Sequence, residues 1–315
     1  MKIQAGIIGC GKIAGLNSNN KSDKINHASV YKNSQNINIV AAADINKINL
    51  KKFKEMWKVN DVYTDYKKMI LENNFDVVSV CTPVSSHYEI LEFLIKNKIK
   101  RIFCEKPLCN NTKQIKKLIK NNKKSLISIN YFRRWNPDLI ELKKNITKLR
   151  YGKLNKITFN YSKSLLNNGL HLLDFCIFLI GKPDDVIFVK KSKSKLIDGN
   201  YGYDFILNYK KFNITANFNH VPNINYVFLD CEMFFTNYYI HLKKRFQLIE
   251  IYNKSKDDDF IGLNDLKLIK KINTNWKQSM TNAIEELMYK KNTRQLSHNL
   301  NNSLDLIKIY EKISN

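Results

Sequence analysis

The stretch Ile3-Gln-Ala-Gly-Ile-Ile-Gly-Cys-Gly-Lys-Ile-Ala14 decides the fold. A short apolar strand, Ile3–Ile8, runs directly into the pattern G-x-G-x-x-A. In this pattern Gly9 permits a tight turn, Gly11 leaves the backbone open to a pyrophosphate, and Ala14 lets a following helix pack close to the strand. The N–H groups at the start of that helix can then bind the phosphates. The sequence therefore predicts a dinucleotide-binding turn that includes Gly9, Gly11, Lys12 and Ile13.

The first 130 residues alternate between apolar strands and helices. Strands are predicted at residues 3–8, 38–44, 75–81, 99–104 and 125–130, and helices after the glycine turn and at residues 47–57, 86–97 and 112–120. Nearly continuous apolar strands separated by helices are typical of a parallel sheet covered on both faces. We therefore expect an α/β Rossmann domain at residues 1–130, with the active site at the carboxyl ends of its strands.

After residue 135 the pattern changes to successive β segments. Strands are predicted at residues 154–162, 185–189, 203–209, 212–218, 226–232, 238–242 and 246–252, and helices at 137–149, 169–180, 276–290 and 303–313. Strands joined by short turns favour a mostly antiparallel sheet. We expect an α+β domain at residues 131–315 for substrate binding and oligomerisation. An exposed sheet face must be covered, which predicts a homo-oligomer, a dimer or a tetramer.

Composition excludes several classes of protein. The 315 residues carry a net charge of +25, but 47 of the 53 basic residues are lysines spread along the whole chain. A dispersed lysine surface argues against nucleic-acid binding, which needs a gathered basic patch. No apolar stretch is long enough to span a bilayer, and no signal peptide precedes the first strand. Six cysteines without metal-ligand spacing predict buried thiols, no metal site and a cytoplasmic location.

Asp44 ends the second predicted strand and is a candidate cofactor ligand. A carboxylate there accepts hydrogen bonds from the ribose hydroxyls of NAD and repels the 2′-phosphate of NADP, so NAD is expected over NADP. Asp44 lies thirty residues beyond Ala14, where about twenty is usual. A polar surface insertion at residues 17–23 accounts for the difference. The alternative is that Asp44 caps the next helix.

Two further strand ends carry polar groups. Thr82 and Pro83 form a turn that we expect to lie against the nicotinamide ribose. His87 is counted among the residues around the cofactor, although its place at a helix start favours a structural role.

Glu105, Lys106 and Pro107 follow the next strand. A lysine at a strand's carboxyl end, in a cleft, is a candidate acid/base or a ligand of a substrate hydroxyl. Glu105 and Lys106 are both expected beside the cofactor, and a cis bond before Pro107 would orient the lysine. The alternative is that Lys106 is an ordinary surface lysine without a role in the site.

The helix at residues 169–180 carries polar residues in an apolar setting. His171 and Asp174 lie three residues apart and so share one helix face. Buried polar groups need partners, and a satisfied core histidine is one explanation. Proton transfer beside Lys106 is the other. Asn167 and Asn168, just before the helix, are candidate substrate ligands.

Taken together, these residues resemble the Gfo/Idh/MocA oxidoreductase family, named for glucose–fructose oxidoreductase and inositol dehydrogenase. The glycine turn, Asp44, Thr82-Pro83 with His87, and Glu105-Lys106-Pro107 occur in the family's order. The resemblance implies NAD(P)-dependent hydride transfer on a CH–OH group of a sugar or cyclitol. Lys106 then holds or deprotonates the hydroxyl, and His171 acts as its acid/base partner.

One position departs from the family pattern. The family's dehydrogenases have an aspartate four residues before the histidine, where this chain has Asn167, which cannot take up a proton. Similar asparagine versions act on nucleotide-linked sugars for surface polysaccharides, so a nucleotide-sugar substrate is expected. Arg133 or Arg134 can hold its phosphate, or form a hinge salt bridge instead. Tyr161 and Lys163 are further candidate substrate contacts.

The favoured hypothesis is an NAD-dependent dehydrogenase of a sugar or nucleotide-sugar. A redox-assisted hydrolase or lyase that recycles its NAD is one alternative. A non-catalytic dinucleotide sensor is another, although a sensor needs neither Lys106 nor His171.

Overall fold

The computed structural model describes residues 2–17, 25–194, 201–256 and 262–314. The chain divides into two compact units, one comprising Met1–Trp135 and Lys277–Ile307 and the other Asn136–Trp276 and Lys308–Asn315. This division differs from the predicted one, which places a single domain boundary between residues 130 and 131. The predicted domain boundary stays a prediction.

The first unit contains a six-stranded parallel sheet in the order β3-β2-β1-β4-β5-β6. Its strands are Ile3–Ile8 (β1), Ile37–Ala43 (β2), Asp61–Tyr63 (β3), Val77–Val80 (β4), Arg101–Cys104 (β5) and Leu126–Ile129 (β6). Its helices include His27–Asn33 (α1), Lys47–Trp57 (α2), Tyr66–Glu72 (α3), Val84–Lys96 (α4) and Thr112–Asn121 (α5). This strand order is that of the dinucleotide-binding Rossmann fold.

Two features of this unit differ from the sequence prediction. β3 and α3 were not predicted, because a three-residue edge strand and a seven-residue helix are too short for a clear periodicity. The helix expected after the glycine turn is a single π-type turn, Lys12–Leu16, in which Gly15 leaves helical geometry. The predicted insertion at residues 17–23 falls almost entirely outside the described residues, which resume at residue 25.

Asparagine side chains begin several of these helices. Asn26, Asn46 and Asn111 each accept a hydrogen bond from a backbone N–H of the first turn of α1, α2 and α5. An asparagine at this position satisfies N–H groups that have no partner within the helix. The abundance of asparagine in the chain thus contributes directly to the helix boundaries.

The second unit contains an eight-stranded sheet in the order β14-β13-β12-β11-β7-β10-β9-β8. Its elements begin with the helix Pro137–Thr147 (α6), the strand Leu154–Tyr161 (β7) and the helix Leu170–Ile180 (α7). The remaining strands are Asp185–Lys193 (β8), Tyr201–Tyr209 (β9), Ile214–His220 (β10), Leu229–Phe235 (β11), Tyr238–Lys243 (β12), Leu248–Lys256 (β13) and Asn264–Asn273 (β14). Only β7 and β10 pair in parallel, so the predicted fold class is confirmed.

Two further helices follow, Ser279–Tyr289 (α8) and Leu300–Ser314 (α9). α8 belongs to the first unit, where Met280, Ala283, Ile284 and Leu287 are buried in the same core as β1. These residues recur at helical spacing, so one apolar face explains why a distant segment joins the Rossmann sheet.

Burial agrees with the remaining sequence expectations. All six cysteines are free and buried, as predicted. Within the described residues, every helix is too short or too polar to cross a bilayer.

Tyr161 fastens the end of β7 within the second unit. Its side chain is fully buried, and its hydroxyl donates to the carbonyl of Tyr203 at 2.7 Å and accepts from the Tyr203 N–H at 2.9 Å. Tyr203 belongs to β9, which is separated from β7 by β10. The hydroxyl thus joins two strands that are not neighbours.

Replacing Tyr161 with phenylalanine tests this fastening. Tyr161→Phe leaves a buried N–H and carbonyl without their partner, so we expect it to lower the free energy of unfolding by about 1–3 kcal/mol. Tyr226→Phe is the control, because Tyr226 is exposed in the same unit. Denaturant unfolding measures both variants, and equal stabilities would contradict the structural role of the Tyr161 hydroxyl.

Candidate active site

The register of the parallel sheet brings the ends of five strands to one edge. Ile8 pairs with Ala43 on one side and Val80 on the other, Val80 pairs with Cys104, and Cys104 pairs with Ile129. The residues that follow these strands therefore emerge at the same level. They are Gly9, Asp44, Cys81, Glu105 and Asn130.

The glycine turn has the shape that the sequence predicts. Gly9 has a φ of +87°, and a Cβ there would lie 2.9 Å from the backbone nitrogen of Thr82. At Gly11, by contrast, a Cβ would meet nothing within 4 Å. Gly9 is therefore required by the protein itself, whereas the space at Gly11 is open. That open approach to the backbone fits a pyrophosphate.

Gly15 is a further close contact that the sequence interpretation did not use. A Cβ at Gly15 would collide with the indole of Trp57, which is buried at the end of α2. Ala14 is completely buried beside it. The small residues after the turn thus let it lie directly against α2.

Asp44 both faces a cavity and braces the turn. Its Oδ2 accepts from the backbone N–H of Cys10 at 2.6 Å, and its Oδ1 accepts from that of Asn46 at 2.7 Å. Asn46, rather than Asp44, caps α2, which answers the alternative interpretation. Asp44 also lines a cavity of about 520 Å³ between the ends of β1, β2 and β4.

The cavity contains several of the predicted cofactor residues. Gly9, Gly11, Asp44, Thr82 and Pro83 line it together with Ile45, Asn46 and Tyr66. Lys12 lines a second cavity, of about 720 Å³, which also includes Gly11 and Lys52. Ile13 lies in the same turn. A mostly apolar cavity lined by the carboxylates of Asp44 and Glu89, adjoining lysines around a glycine turn, suits an adenosine followed by a pyrophosphate.

His87 joins two loops at this edge rather than facing a ligand. It is 1% exposed, and its ring nitrogens lie 2.8 Å from the carbonyl oxygen of Thr82 and 2.9 Å from that of Pro107. Both nitrogens are therefore engaged by backbone, which favours the structural interpretation. The peptide bond before Pro107 is cis.

The Glu105 carboxylate points into the first unit. Its Oε1 accepts from His27 Nε2 at 3.0 Å and from Asn130 Nδ2 at 2.6 Å, and Oε2 lies 3.4 Å from the backbone nitrogen of Lys106. Burial by itself raises the pKa of Glu105, but the hydrogen bonds from His27 and Asn130 and the charge of Lys106 outweigh it and lower that pKa. The carboxylate is thus held ionised beside the lysine, not turned toward a cofactor as predicted.

His27 and Asn130 were missed by the sequence interpretation. Asn130 follows a strand, like the residues that were predicted, so its position was a usable signal. His27 has no comparable signal, because it meets Glu105 only through the packing of α1 on the sheet.

The second unit places its predicted residues around the start of α7. Asp174 is buried, His171 is partly exposed, and Asn168 donates through Nδ2 to the carbonyl of Ser162 at 2.9 Å. The backbone N–H of Asn167 donates to Ser164 Oγ. Asn168 therefore holds the chain entering α7, while Asn167 and His171 keep accessible surface.

Three other predicted substrate contacts have structural partners. The hydroxyl of Tyr161 is consumed by the backbone of Tyr203, so a substrate contact there is not supported. Arg134 is buried and donates to the carbonyl of Ser297 at 2.9 Å. Arg133 is also buried, with its guanidinium 4.8 Å from the ring centre of Phe132. Both arginines are buried within the first unit, and the expected phosphate contact stays a prediction. Lys163 is partly exposed and has a φ of +65°.

The comparisons with known proteins agree with this geometry. Residues 3–129 match the Gfo/Idh/MocA model, described as an oxidoreductase family with an NAD-binding Rossmann fold. The chain is 29% identical over 216 residues to myo-inositol 2-dehydrogenase of Thermotoga maritima, covering 64% of this chain and 61% of that protein. It is 24% identical to D-glucoside 3-dehydrogenase of Escherichia coli, covering 58% and 55%. The chain thus spans less than two thirds of either relative.

Two solved structures share the fold over nearly the whole chain. One is an oxidoreductase from Agrobacterium radiobacter in complex with NAD⁺, L-tartaric acid and magnesium, with a TM-score of 0.77, 15% identity and coverage of 100% of this chain and 97% of that one. The other is UDP-N-acetylglucosamine 3-dehydrogenase from Acidithiobacillus ferrooxidans, with a TM-score of 0.74, 14% identity and coverage of 99% and 97%.

The fold, the glycine turn and the family match point to the same cofactor. The matched family model is described as NAD-binding, in agreement with the cofactor that the sequence predicted. With their parallel sheet, the Gly9–Gly11 turn and the Glu105-Lys106-Pro107 loop, residues 3–129 match the Gfo/Idh/MocA family model of NAD-binding oxidoreductases.

Proposed function

We propose that this protein is an NAD-dependent oxidoreductase that interconverts a CH–OH group and a keto group of a sugar or cyclitol. The observation that carries the proposal is the shared edge of the parallel sheet. It brings the glycine turn, Asp44, Thr82 and the Glu105-Lys106 step to adjacent strand ends. The names of the inositol and glucoside dehydrogenase relatives support a polyhydroxylated substrate.

The cofactor residues divide into three groups. Gly9, Gly11, Lys12 and Ile13 form the turn for the pyrophosphate. Asp44 accepts the ribose hydroxyls on the adenosine side, while Thr82 and Pro83 lie toward the nicotinamide side. When bound, NAD supplies the hydride acceptor or donor at nicotinamide C4.

Lys106 and His171 carry the proton chemistry. An oxidised hydroxyl must lose its proton as hydride leaves its carbon, and a keto group must gain one in the reverse direction. Lys106 follows directly on the ionised Glu105 and holds the reacting oxygen. His171 begins α7 with accessible surface and serves as the second proton carrier. Asn167 can orient a substrate hydroxyl but cannot exchange a proton with it.

A valine at Gly11 tests the pyrophosphate site. The extended backbone and open space at Gly11 accept a side chain, so Gly11→Val should change the stability of the free protein by less than about 0.5 kcal/mol. The added methyl groups occupy the space for the phosphates, so NADH affinity should fall by about 10- to 100-fold. Isothermal titration calorimetry and thermal melting measure the two effects.

Gly9→Val is the matched contrast for that experiment. A side chain at this position would collide with Thr82, and the backbone has a positive φ that valine disfavours. Gly9→Val should therefore lower the melting temperature of the free protein. An NADH affinity of Gly11→Val equal to that of the wild type would contradict the assignment of the glycine turn to the cofactor site.

Alanine at Lys106 or His171 separates chemistry from cofactor binding. Each substitution should lower kcat by about 10²- to 10⁴-fold, which is the usual contribution of a positioned proton carrier. NADH affinity should stay within about threefold, because neither residue forms the glycine turn or the adenosine cavity. Lys116→Ala is the control, since Lys116 is exposed on α5. Full turnover in both variants would contradict the proposed proton-carrier roles, whereas NADH binding by a wild-type protein that shows no turnover would favour a non-catalytic dinucleotide sensor.

We further propose a nucleotide-linked sugar as the substrate, in surface-polysaccharide synthesis. Asn167 in place of the family's aspartate supports this, as does the similarity in fold to a UDP-N-acetylglucosamine 3-dehydrogenase. Turnover with UDP-N-acetylglucosamine but not with myo-inositol supports the assignment, and the reverse preference contradicts it.

A cytoplasmic homo-oligomer, dimer or tetramer, completes the proposal. Six buried free thiols suit a reducing compartment. Exposed apolar residues on β8 (Ile187, Phe188 and Val189) provide a surface that a second copy can cover.

A further inference from the structure

A continuous chain of buried side chains ends on the carboxylate beside Lys106. The hydroxyl of Tyr31 lies 2.7 Å from Ser79 Oγ, which lies 2.8 Å from His27 Nδ1. His27 Nε2 in turn lies 3.0 Å from Glu105 Oε1. Tyr31, Ser79 and His27 are completely buried. None of these three residues belongs to the predicted cofactor or substrate site.

The hydrogen bonds of this chain have a consistent direction. An ionised carboxylate only accepts, so His27 Nε2 carries the proton toward Glu105. Nδ1 of a neutral imidazole then accepts from Ser79, whose oxygen accepts from Tyr31. Every contact in this arrangement thus has one proton.

Few other ionisable groups face Glu105. Cys81 follows β4 and Cys104 ends β5, and burial raises the pKa of both thiols well above the usual value, so they stay neutral. Tyr31 of α1 is likewise kept protonated, since burial raises its pKa. The hydrogen bonds from His27 and Asn130 and the neighbouring positive charges, that of Lys106 among them, lower the pKa of Glu105.

The same helix is tied to the glycine turn. Asn26 caps α1 immediately before His27 and donates through Nδ2 to Asn17 Oδ1 at 2.9 Å. Asn17 directly follows the turn Lys12–Leu16. His27 is thus placed by a helix whose start is fixed to the cofactor-binding turn.

We propose that His27 is a positioning residue for Lys106: its hydrogen bond holds the Glu105 carboxylate where Oε2 lies 3.4 Å from the backbone nitrogen of Lys106, and this carboxylate stabilises the positive charge of the lysine. Only the lysine's part in hydride transfer rests on the proposed function. The coupling between His27, Glu105 and Lys106 is a property of the protein without cofactor.

The test measures the titration of Lys106 directly. The purified full-length protein, without added cofactor, is labelled with a trace of acetic anhydride across a range of pH. Mass spectrometry of peptides compares the labelling of Lys106 with that of the exposed Lys116. The variants are His27→Leu, which removes both hydrogen bonds, His27→Gln, which keeps an N–H donor, and Glu105→Gln, which removes the charge but keeps the shape.

Glu105→Gln should lower the titration midpoint of Lys106 by about one pH unit, because the ammonium loses its neighbouring anion. His27→Leu should lower it by about the same amount, because the carboxylate, although still ionised where a lysine titrates, is no longer held in place beside the lysine. That corresponds to roughly tenfold more labelling at neutral pH. His27→Gln should stay within about 0.3 pH unit of the wild type, since its amide still donates to Glu105.

An unchanged midpoint in folded His27→Leu overturns the proposal, and if that variant does not fold, an unchanged midpoint in Glu105→Gln does so. Turnover tests the other part of the account. If the wild-type protein shows no NAD-dependent turnover, the proposed function is contradicted but the coupling between His27, Glu105 and Lys106 is not. Normal turnover together with an unchanged titration midpoint of Lys106 in the variants would contradict the coupling but not the proposed function. In an active enzyme, the alkaline or acid limb of the kcat profile should move with the Lys106 midpoint, whereas NADH affinity should not.

Discussion

The in-register pairing of β1 with β2 and β4, and of β4 with β5, is the constraint on which the site depends. Parallel strands in register end at one level, so residues far apart in sequence lie side by side at one edge of the sheet. Gly9, Asp44 and Glu105 lie along one edge of the sheet for this reason. The hydrogen bond from the Cys10 N–H to Asp44 then locks the turn to the second strand.

The sequence was sufficient for everything that follows from this constraint. Apolar strand runs and the glycine spacing predicted the sheet, the turn and the position of Asp44 and Lys106. The sequence did not predict the contacts between separate helices and strands. Nothing local distinguishes His27 from any other helical residue, yet the packing of α1 brings it to Glu105. Tyr161 shows the opposite failure, because a strand-end position does not tell which side the side chain faces, and it faces the core.

Charge has two separate roles in this molecule. The excess of lysine over acidic residues is spread along the chain and says little about function. One buried carboxylate, Glu105, has more influence, because it is held ionised by hydrogen bonds and by the lysine that follows it.

The central claim, a dinucleotide site at the glycine turn, is tested most directly by titrating NADH into the purified protein and following tryptophan emission. Trp57 packs against Gly15, next to the turn, and is almost completely buried. Saturable quenching with one NADH per chain, weaker for NADPH because of Asp44, is the predicted result. Emission that stays unchanged up to millimolar NADH and NADPH, confirmed by calorimetry, would contradict the assignment of this edge of the sheet as a cofactor site.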